Sequence, residues 1–501
     1  MAKNVLFITS DQQHWNTLGV LNPEIQTPNL DKLAARGALF ERAYTVNPTC
    51  TPTRASWITG LYPSQHGAWS LGTALPQDVP TIGDSMASNN MSCELIGKAH
   101  FQPLASTPDH PSLEAYPVLQ DLEFWKTYTK KFYGFNHYEL ARNHTNEAHV
   151  GQHYALWMEE KGCKNWREYF LAPTGTMDET IRHTWPLPEE FHYDTWIAER
   201  TCARLDAHKN TDTPFFLWAS FFDPHPDYLV PEPWASMYDP ATITLPPSHP
   251  GEHEDSPPHI QKTQELHPDF SSYKETGKQI HGFHCHREEE ENLRKDMAIY
   301  YGMVSMMDHY IGKILDRLEE NGQSEDTLVV FTTDHGHYLG HHNLTAKGAF
   351  HYDDGIKVPF IAACPNLIPQ GVKSSQLLSL IDLAPTFLAI MGIQAPRTMA
   401  GKDMTPLLTN PSQPFRNRVI CENQHEPTTV NLRTYIDSRY KITVYYDREY
   451  GELYDLQTDP GELTNLWDHP ESQGVKNQLL LSALSAEMDK APLPMDRVAE
   501  A

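Results

Sequence analysis

Apolar or extended runs alternate along the chain with segments of helical periodicity. The runs predict buried strands, because strands covered on both faces are apolar throughout; they are residues 5–9, 38–46, 93–96, 215–220, 327–333 and 357–362. Apolar residues at intervals of three and four from Leu293 to Leu318 predict one long amphipathic helix, and shorter helices are predicted at 28–35 and 383–391. This alternation predicts an α/β fold with a mostly parallel central sheet and helices on both faces.

Two segments, residues 101–190 and 231–290, do not fit the alternating pattern and are rich in Pro, His, Trp and Tyr. We interpret them as insertions over the carboxyl edge of the sheet, where they would form the walls of a substrate pocket. After residue 412 the pattern changes to short extended runs followed by a helix at 474–488. The chain is therefore predicted to contain a catalytic α/β domain, 1–412, and a small C-terminal antiparallel sheet with a helix, 413–501.

Charge and composition narrow the classes of partner. The 501 residues carry a formal net charge of −26, which argues against nucleic acid and against an anionic membrane surface. No apolar stretch has the length of a membrane span, and the first residues lack the features of a signal peptide, so a cytoplasmic location is expected. Seven scattered cysteines suggest free thiols in a reducing compartment. The possibility that the chain forms a homo-oligomer stays open.

Polar side chains follow two of the predicted strands directly. Asp11 and Gln12 come after the first strand, and Asp334 and His335 come after the strand at 327–333. In an open parallel sheet these ends lie at one edge, so the four side chains can converge on a divalent cation. Mostly oxygen ligands favour Ca²⁺, with Mn²⁺ or Mg²⁺ as alternatives. Taken singly, each pair could instead be a polar turn or a helix cap.

Basic residues follow other strand ends. Lys98 and His100 come after the strand at 93–96, His225 lies beyond the strand at 215–220, and Lys347 follows the His335 segment. A lysine there can hold an anion, and a histidine can donate a proton to a leaving group. The alternative for each lysine is a solvated loop, and among 27 histidines a single one carries little weight.

The segment Cys50-Thr51-Pro52-Thr53-Arg54 precedes a predicted helix at 55–59. A helix start favours anions, and Arg54 adds a fork of donors, so a reactive side chain at Cys50 would face an oxyanion site. The alternative is a buried cysteine that only packs. A second group that could bind a transition metal is expected to be incidental, and zinc is not expected there; its members are His281, His284, Cys285 and His286.

Together these motifs resemble the type I, formylglycine-dependent sulfatases of the alkaline-phosphatase-like superfamily. The similarity extends over nearly the whole chain. Its elements are Cys50-x-Pro52-x-Arg54 continuing to His66-Gly67, Gly97-Lys98-x-His100, Pro224-His225, Asp334-His335-Gly336 with Lys347, and the C-terminal run 451–456 with Asp459-Pro460.

The resemblance implies that a maturation enzyme oxidises Cys50 to formylglycine, whose hydrate attacks the sulfur of a sulfate ester. It implies that residue 50 also binds the metal, together with Asp11, Gln12, Asp334 and His335. The remaining site residues would hold the nucleophile (Arg54), bind the sulfuryl oxygens (Lys98, Lys347), protonate the leaving oxygen (His225) and assist sulfate expulsion (His100). The expected substrate is a small-molecule or oligosaccharide sulfate, a carbohydrate sulfate first and an aryl or choline sulfate next.

Two positions depart from the commonest sulfatase pattern. Asp11-Gln12 stands where many sulfatases have Asp-Asp, and Asp334-His335 stands where many have Asp-Asn. Both resemble the phosphonate monoester hydrolase and choline sulfatase branches. The alternative function is therefore a phosphonate monoester or phosphodiester hydrolase with the same nucleophile. A third reading is an inactive relative that binds a sulfated glycan.

Overall fold

The computed structural model describes residues 2–142, 145–170, 182–273, 287–425, 430–491 and 498. The strands are β1 (Asn4–Ser10), β2 (Ala38–Phe40), β3 (Ala43–Tyr44), β4 (Ser92–Gly97), β5 (His137–Leu140), β6 (Arg182–Thr184), β7 (Phe215–Ser220), β8 (Tyr228–Val230), β9 (Thr327–Thr333), β10 (Lys357–Val358), β11 (Phe360–Ala363), β12 (Val372–Ser374), β13 (Leu378–Ser379), β14 (Val419–His425), β15 (Val430–Ile436), β16 (Tyr440–Tyr445) and β17 (Gly451–Asp455).

The α-helices lie between and around these strands. They are α1 (Pro28–Ala35), α2 (Cys50–Thr59), α3 (Pro63–His66), α4 (Ile82–Ser88), α5 (Leu122–Thr127), α6 (Gln152–Glu160), α7 (Tyr193–His208), α8 (Pro258–Lys262), α9 (Glu290–Glu320), α10 (Asp353–Ile356), α11 (Leu383–Ile390), α12 (Thr405–Thr409) and α13 (Gln473–Asp489). None of the helices in the described ranges is long and apolar enough to cross a membrane.

The central sheet has eight strands in the order β12-β2-β11-β9-β1-β7-β4-β5. The five strands from β9 to β5 are all parallel, whereas β11 runs antiparallel to both of its neighbours. The predicted fold class is confirmed. The five parallel strands bring their carboxyl ends to one edge, which is the edge where open α/β sheets bind ligands.

Alternate residues of the central strands face two separate cores. In β1, Leu6 and Ile8 pack into a core that includes the apolar face of α9, whereas Val5 and Phe7 pack into a core with α2 and α11. Because both faces are covered, the strand is apolar throughout, and this is why its run is so clear in the sequence.

Two predicted strands are each divided in the structure. The run 38–46 forms β2 in the central sheet and β3 in a separate three-stranded sheet, with Glu41 and Arg42 between them. The run 357–362 divides into β10 and β11 at Pro359, which has no N–H to donate to a strand ladder. An unbroken strand at either place was a wrong prediction.

The segment 101–190 is not only an insertion over the sheet. It contributes β5, which pairs in parallel with β4 and forms the edge of the central sheet. The four residues of β5 are too few, and His137 and Glu139 too polar, to stand out as a buried strand. This part of the segment belongs to the sheet layer.

The C-terminal strands β14 to β17 form a four-stranded antiparallel sheet, and α13 packs against β15 and β16. This sheet also contacts the chain just before Cys50. The Glu422 N–H donates to the Val46 carbonyl at 2.8 Å, and the Asn47 side chain donates to the Glu422 carbonyl at 2.6 Å. The small sheet therefore helps to position the start of α2.

Six cysteines fall in the described ranges, and all six are free thiols. The group formed by His281, His284, Cys285 and His286 lies outside the described residues.

Candidate active site

The side chains predicted to form the site do come together, at the carboxyl edge of the parallel strands. They are Asp11 and Gln12 after β1, Lys98 and His100 after β4, His225 after β7, Asp334, His335 and Lys347 after β9, and Cys50 and Arg54 on α2. Most of them are fully buried, and His225 is partly exposed.

Cys50 is the first residue of α2, and Thr49 is the N-cap residue. The helix therefore begins at Cys50, five residues earlier than predicted, because Pro52 is accommodated within the first turn, where its missing N–H leaves no bond unmade. All ten residues of α2 are buried. The positive end of the helix dipole thus points at the site from a rigid, fully packed support.

The Cys50 thiol lies at the centre of the site. Its Sγ is 3.1 Å from Lys347 Nζ, 3.2 Å from His335 Nε2 and 3.5 Å from Asp11 Oδ1. Burial raises the pKa of the thiol and Asp11 raises it further, whereas Lys347 and Lys98 act in the opposite direction. Burial thus keeps this cysteine in its neutral form, so it is a poor thiolate nucleophile.

A buried network of charges surrounds the thiol. Lys98 Nζ pairs with Asp11 Oδ2, and Arg54 Nε donates to Asp334 Oδ2 at 2.8 Å. Burial opposes ionisation of Asp11, but the charges of Lys98, Arg54 and Lys347 outweigh it and hold the pKa of Asp11 well below the ordinary value. Asp11 is therefore an anion that can act as a metal ligand.

The donor set fits a divalent cation. One ligand atom from each of Asp11, Cys50, Asp334 and His335 lies within 4.8 Å of the other three. His335 Nδ1 donates to the Gly336 carbonyl at 3.0 Å, which leaves Nε2 to face the cluster, and burial lowers its pKa to about 4. A neutral imidazole oriented by its second nitrogen is the usual form of a metal-binding histidine.

Gln12 adds a second indication of a cation site. The Gln12 backbone N–H donates to Asp334 Oδ1 at 3.0 Å, so the Gln12 backbone lies beside the possible metal ligands. Its side-chain amide is buried, and neither the oxygen nor the nitrogen has a hydrogen-bond partner among the described residues. Its φ of 61° is uncommon for a residue with a side chain. A buried amide oxygen without a partner at this place fits a cation ligand.

His225 is a second neighbour of the Lys347 ammonium. Its Nε2 is 3.2 Å from Lys347 Nζ, and its Nδ1 is bonded to the Pro226 carbonyl. Burial and the charge of Lys347 hold the pKa of His225 well below its ordinary value. In the free protein this imidazole is neutral.

His100 occupies another left-handed backbone position, with φ of 59°, and its N–H donates to Glu114 Oε1 at 2.7 Å. Its Nδ1 is buried without a partner among the described residues. Burial, with the charges of Arg142 and Lys98, holds the pKa of His100 well below its ordinary value. A neutral, unpartnered imidazole nitrogen can accept a proton.

Sequence reasoning missed three further residues near the site. Ser220 Oγ accepts from Arg54 Nη1 at 2.9 Å, and Tyr193 OH donates to Asp223, two residues before His225. Arg142 lies just beyond β5. Ser220 ends a predicted strand, so its position was a signal. Tyr193 and Arg142 gave no signal, since only the tertiary fold brings them near the site.

Comparison with known proteins agrees with this geometry. The sulfatase family model matches residues 3–393, and the model of the N-sulphoglucosamine sulphohydrolase C-terminal region matches residues 340–489. The chain belongs to the sulfatase family. As a sulfatase it is a sulfuric ester hydrolase, and the family implies a divalent metal and a formylglycine.

The relatives of this sulfatase have diverged widely in sequence. An arylsulfatase of Clostridium perfringens is 27% identical over 94% of this chain and 91% of its own length. A phosphonate monoester hydrolase of Agrobacterium radiobacter has the same fold, with a TM-score of 0.79, 23% identity and coverage of 99% and 98% of the two chains. A third protein, solved in complex with its substrate D-glucosamine-2-N,6-O-disulfate, has a TM-score of 0.72, 18% identity and 98% coverage of both chains.

Proposed function

We propose that this sulfatase hydrolyses carbohydrate sulfate esters with a formylglycine made from Cys50. The observation that carries the proposal is the position of the Cys50 side chain. Its Sγ lies within 3.5 Å of a lysine ammonium, a histidine nitrogen and a carboxylate oxygen, in the first turn of a buried helix. An oxygen nucleophile at this point would meet cations and general acid–base groups, whereas a thiol there has no such use.

The residues around position 50 would hold one divalent cation: Asp11, Gln12, Asp334, His335 and the side chain of residue 50. The predominance of oxygen donors supports Ca²⁺, and the single imidazole keeps Mn²⁺ as an alternative. When bound, the cation supplies positive charge that polarises the sulfuryl oxygens and lowers the pKa of the residue 50 hydroxyl. Arg54 fixes Asp334 and so orients one side of this ligand set.

Lys347 and Lys98 supply the remaining positive charge. Because Lys347 Nζ lies 3.1 Å from Cys50 Sγ, it is within donor reach of any oxygen that replaces the sulfur. Lys98 is fully buried against Asp11 and cannot move to solvent without breaking that pair. Fixed donors aimed at developing negative charge are typically the largest contribution to catalysis of this kind.

His225 is proposed to protonate the leaving oxygen. In the free protein its pKa is held low by burial and by Lys347, so it lacks the proton. A bound sulfate ester brings a negative charge beside it, which raises the pKa of the imidazole and allows it to carry a proton on Nε2. His100, neutral and unpartnered at Nδ1, is proposed to accept the proton of the second hydroxyl when sulfate is expelled.

A phosphonate monoester or phosphodiester hydrolase is the second candidate. Gln12 and His335 at the metal site, and the shared fold with the Agrobacterium enzyme, support it. The Gly97-Lys98-x-His100 element supports sulfate instead, and its lysine ammonium pairs with Asp11. The solved complex with a sulfated glucosamine adds support for a sugar substrate. Both transition states are anionic, so some turnover of each class is expected.

A panel of substrates tests this proposal. Protein produced together with a maturation enzyme is assayed on sulfated monosaccharides, 4-nitrophenyl sulfate and a phosphonate monoester, with the Cys50→Ala variant as the background. We expect the highest kcat/KM on a sulfated sugar and a lower value on the phosphonate. A higher kcat/KM on the phosphonate would establish the second candidate, and activity equal to that of Cys50→Ala on every compound would exclude both.

A further inference from the structure

Arg142 is a buried cation without an ion-pair partner among the described residues. Its side chain is 1% exposed, and its Nε and Nη1 atoms have no hydrogen-bond partner among the described residues. Within the same ranges no carboxylate forms an ion pair with it. A buried guanidinium without an anion costs folding free energy, so such residues are rare unless a ligand completes them.

The fold places Arg142 at the functional edge of the sheet. Gly97 and Leu140 are register partners in β4 and β5, and the Ala141 N–H continues the pairing to the Gly97 carbonyl at 3.2 Å. Arg142 therefore lies beside the Lys98–His100 segment, beyond the carboxyl end of its own strand. It is held there by the edge strand and not by a surface loop.

The neighbouring carboxylate does not satisfy Arg142. Glu114 is buried near it and lowers the cost of its charge, but Glu114 Oε1 and Oε2 already accept the N–H groups of His100 and Gln102, both at 2.7 Å. Cys50 and Asp11 also favour the charged form of Arg142, whereas Arg54 opposes it. The guanidinium is thus within electrostatic reach of the reacting centre and still has free donors.

Arg142 follows a different strand from the groups around Cys50. Its strand is three places from β1 in the sheet, which is roughly 14 Å between backbones. The groups around Cys50, including Lys347, lie at the β1 and β9 end. Because Lys347 and Lys98 already lie around residue 50 and Asp11, the free donors of Arg142 are left for another anion.

We propose that Arg142 recognises a second anionic group on the substrate, a carboxylate or a second sulfate carried next to the reacting ester. This deepens the proposed function and rests on it. Arg suits the task because its planar fork can donate two parallel hydrogen bonds to either group. The preferred substrate is then a doubly charged sugar and not a singly sulfated one.

The Arg142→Met and Arg142→Lys variants test the proposal. Each variant is matured, and its kcat/KM is measured on 4-nitrophenyl sulfate, a disulfated glucosamine and a sulfated uronic acid. Arg142→Met should lower kcat/KM on one or both doubly charged sugars by roughly 10- to 100-fold more than on 4-nitrophenyl sulfate, as expected for a hydrogen-bonded charge pair. Which sugar shows the larger loss identifies the second group. Arg142→Lys should recover part of the loss. Equal losses on all three substrates would overturn the proposal.

The stability of the variants distinguishes substrate recognition by Arg142 from a structural role. Because Arg142 has no partner in the described fold, Arg142→Met should leave the melting temperature of the ligand-free protein unchanged or raise it. The matched control is Arg200→Met, since Arg200 forms a two-point pair with Glu139 of the same strand at 2.7 and 2.8 Å. The Arg200→Met variant should be less stable than the wild-type protein and should keep the wild-type ratio of kcat/KM values on the three substrates. A fall in melting temperature for Arg142→Met like that of Arg200→Met would overturn the proposal.

A binding measurement keeps this inference separate from the proposed function. The unmatured protein, with Cys50 as a thiol, is melted with the disulfated glucosamine and with a singly sulfated one. A larger stabilisation by the disulfated sugar that disappears in Arg142→Met supports the inference even if no sulfate ester is turned over. Equal stabilisation by the two sugars in the wild-type protein contradicts it.

Discussion

Arg54 Nε donates to Asp334 Oδ2 at 2.8 Å, and neither side chain is exposed to solvent. The same guanidinium donates from Nη1 to the Lys98 carbonyl at 3.0 Å and to Ser220 Oγ at 2.9 Å. One side chain of α2 thus connects the ends of β9, β4 and β7. This arrangement explains how residue 50, one turn earlier on the same helix, is aligned with the proposed metal ligands.

Arg54→Met should destabilise the protein and abolish activity. Removing one partner of a buried ion pair costs about 3–5 kcal/mol, because the other charge is left uncompensated. Arg416→Met is the matched control, since Arg416 forms a buried pair with Asp382 away from the site. Denaturant unfolding should show similar losses for both variants. Turnover by the folded fraction should be lost only in Arg54→Met; retention of turnover there would show that Arg54 does not align the site.

His225→Asn should affect substrates according to their leaving groups. An acid that protonates the departing oxygen contributes about 10²–10⁴-fold, and a nitrophenolate needs little of that help. The loss in kcat should therefore be large for a sugar sulfate and small for 4-nitrophenyl sulfate. Steady-state kinetics on the two substrates measures the ratio of the two losses in kcat. An equal loss on both substrates would assign His225 to binding instead.

Removing the metal should lower both activity and stability. Chelation leaves Asp11 and Asp334 without the cation that the ligand set fits, and a ligand that binds only the folded state stabilises it. Gln12→Met should weaken the binding of the metal by at least about tenfold, as measured by the melting temperature during a metal titration. Gln13→Met is the control, because the Gln13 amide donates to the Thr17 carbonyl at 3.1 Å. Equal metal affinity in the two variants would exclude Gln12 as a ligand.

His342 should make stability depend on pH. Burial disfavours its charge, but Asp354 and Glu252 outweigh burial and raise its pKa to about 9. A group whose pKa is higher in the folded state stabilises the protein below its unfolded pKa of 6.5 and loses that contribution as pH rises through 9. About 3 kcal/mol should be lost between these values.

Unfolding free energy measured from pH 6.5 to 9.5 checks the His342 prediction. His342→Gln should show a flatter profile than the wild-type protein. His66→Gln should keep the wild-type slope, since burial lowers the pKa of His66 to about 4 and so places its titration outside this window. Identical slopes for the wild-type protein and His342→Gln would contradict the prediction.

Local patterns predicted much of the fold, and tertiary pairing accounts for what they missed. β1, β7 and β9 are apolar on both faces, so their runs and the polar residues that follow them were visible in the sequence. β5 has only four residues, of which His137 and Tyr138 are partly buried, and its place in the sheet depends on pairing with β4. For that reason Lys98 was found and Arg142 was not. The start of α2 was missed because Pro52 and the polar residues around it resemble a loop.

The central claim is that Cys50 does not act as a cysteine. Peptide mass spectrometry of a fully active preparation tests this most directly, with Cys93, a buried thiol away from the site, as the internal control. The account predicts the mass of an aldehyde or its hydrate at residue 50, an unmodified thiol at residue 93, and activity in proportion to the aldehyde fraction. Full activity from protein whose residue 50 is an unmodified thiol would contradict it.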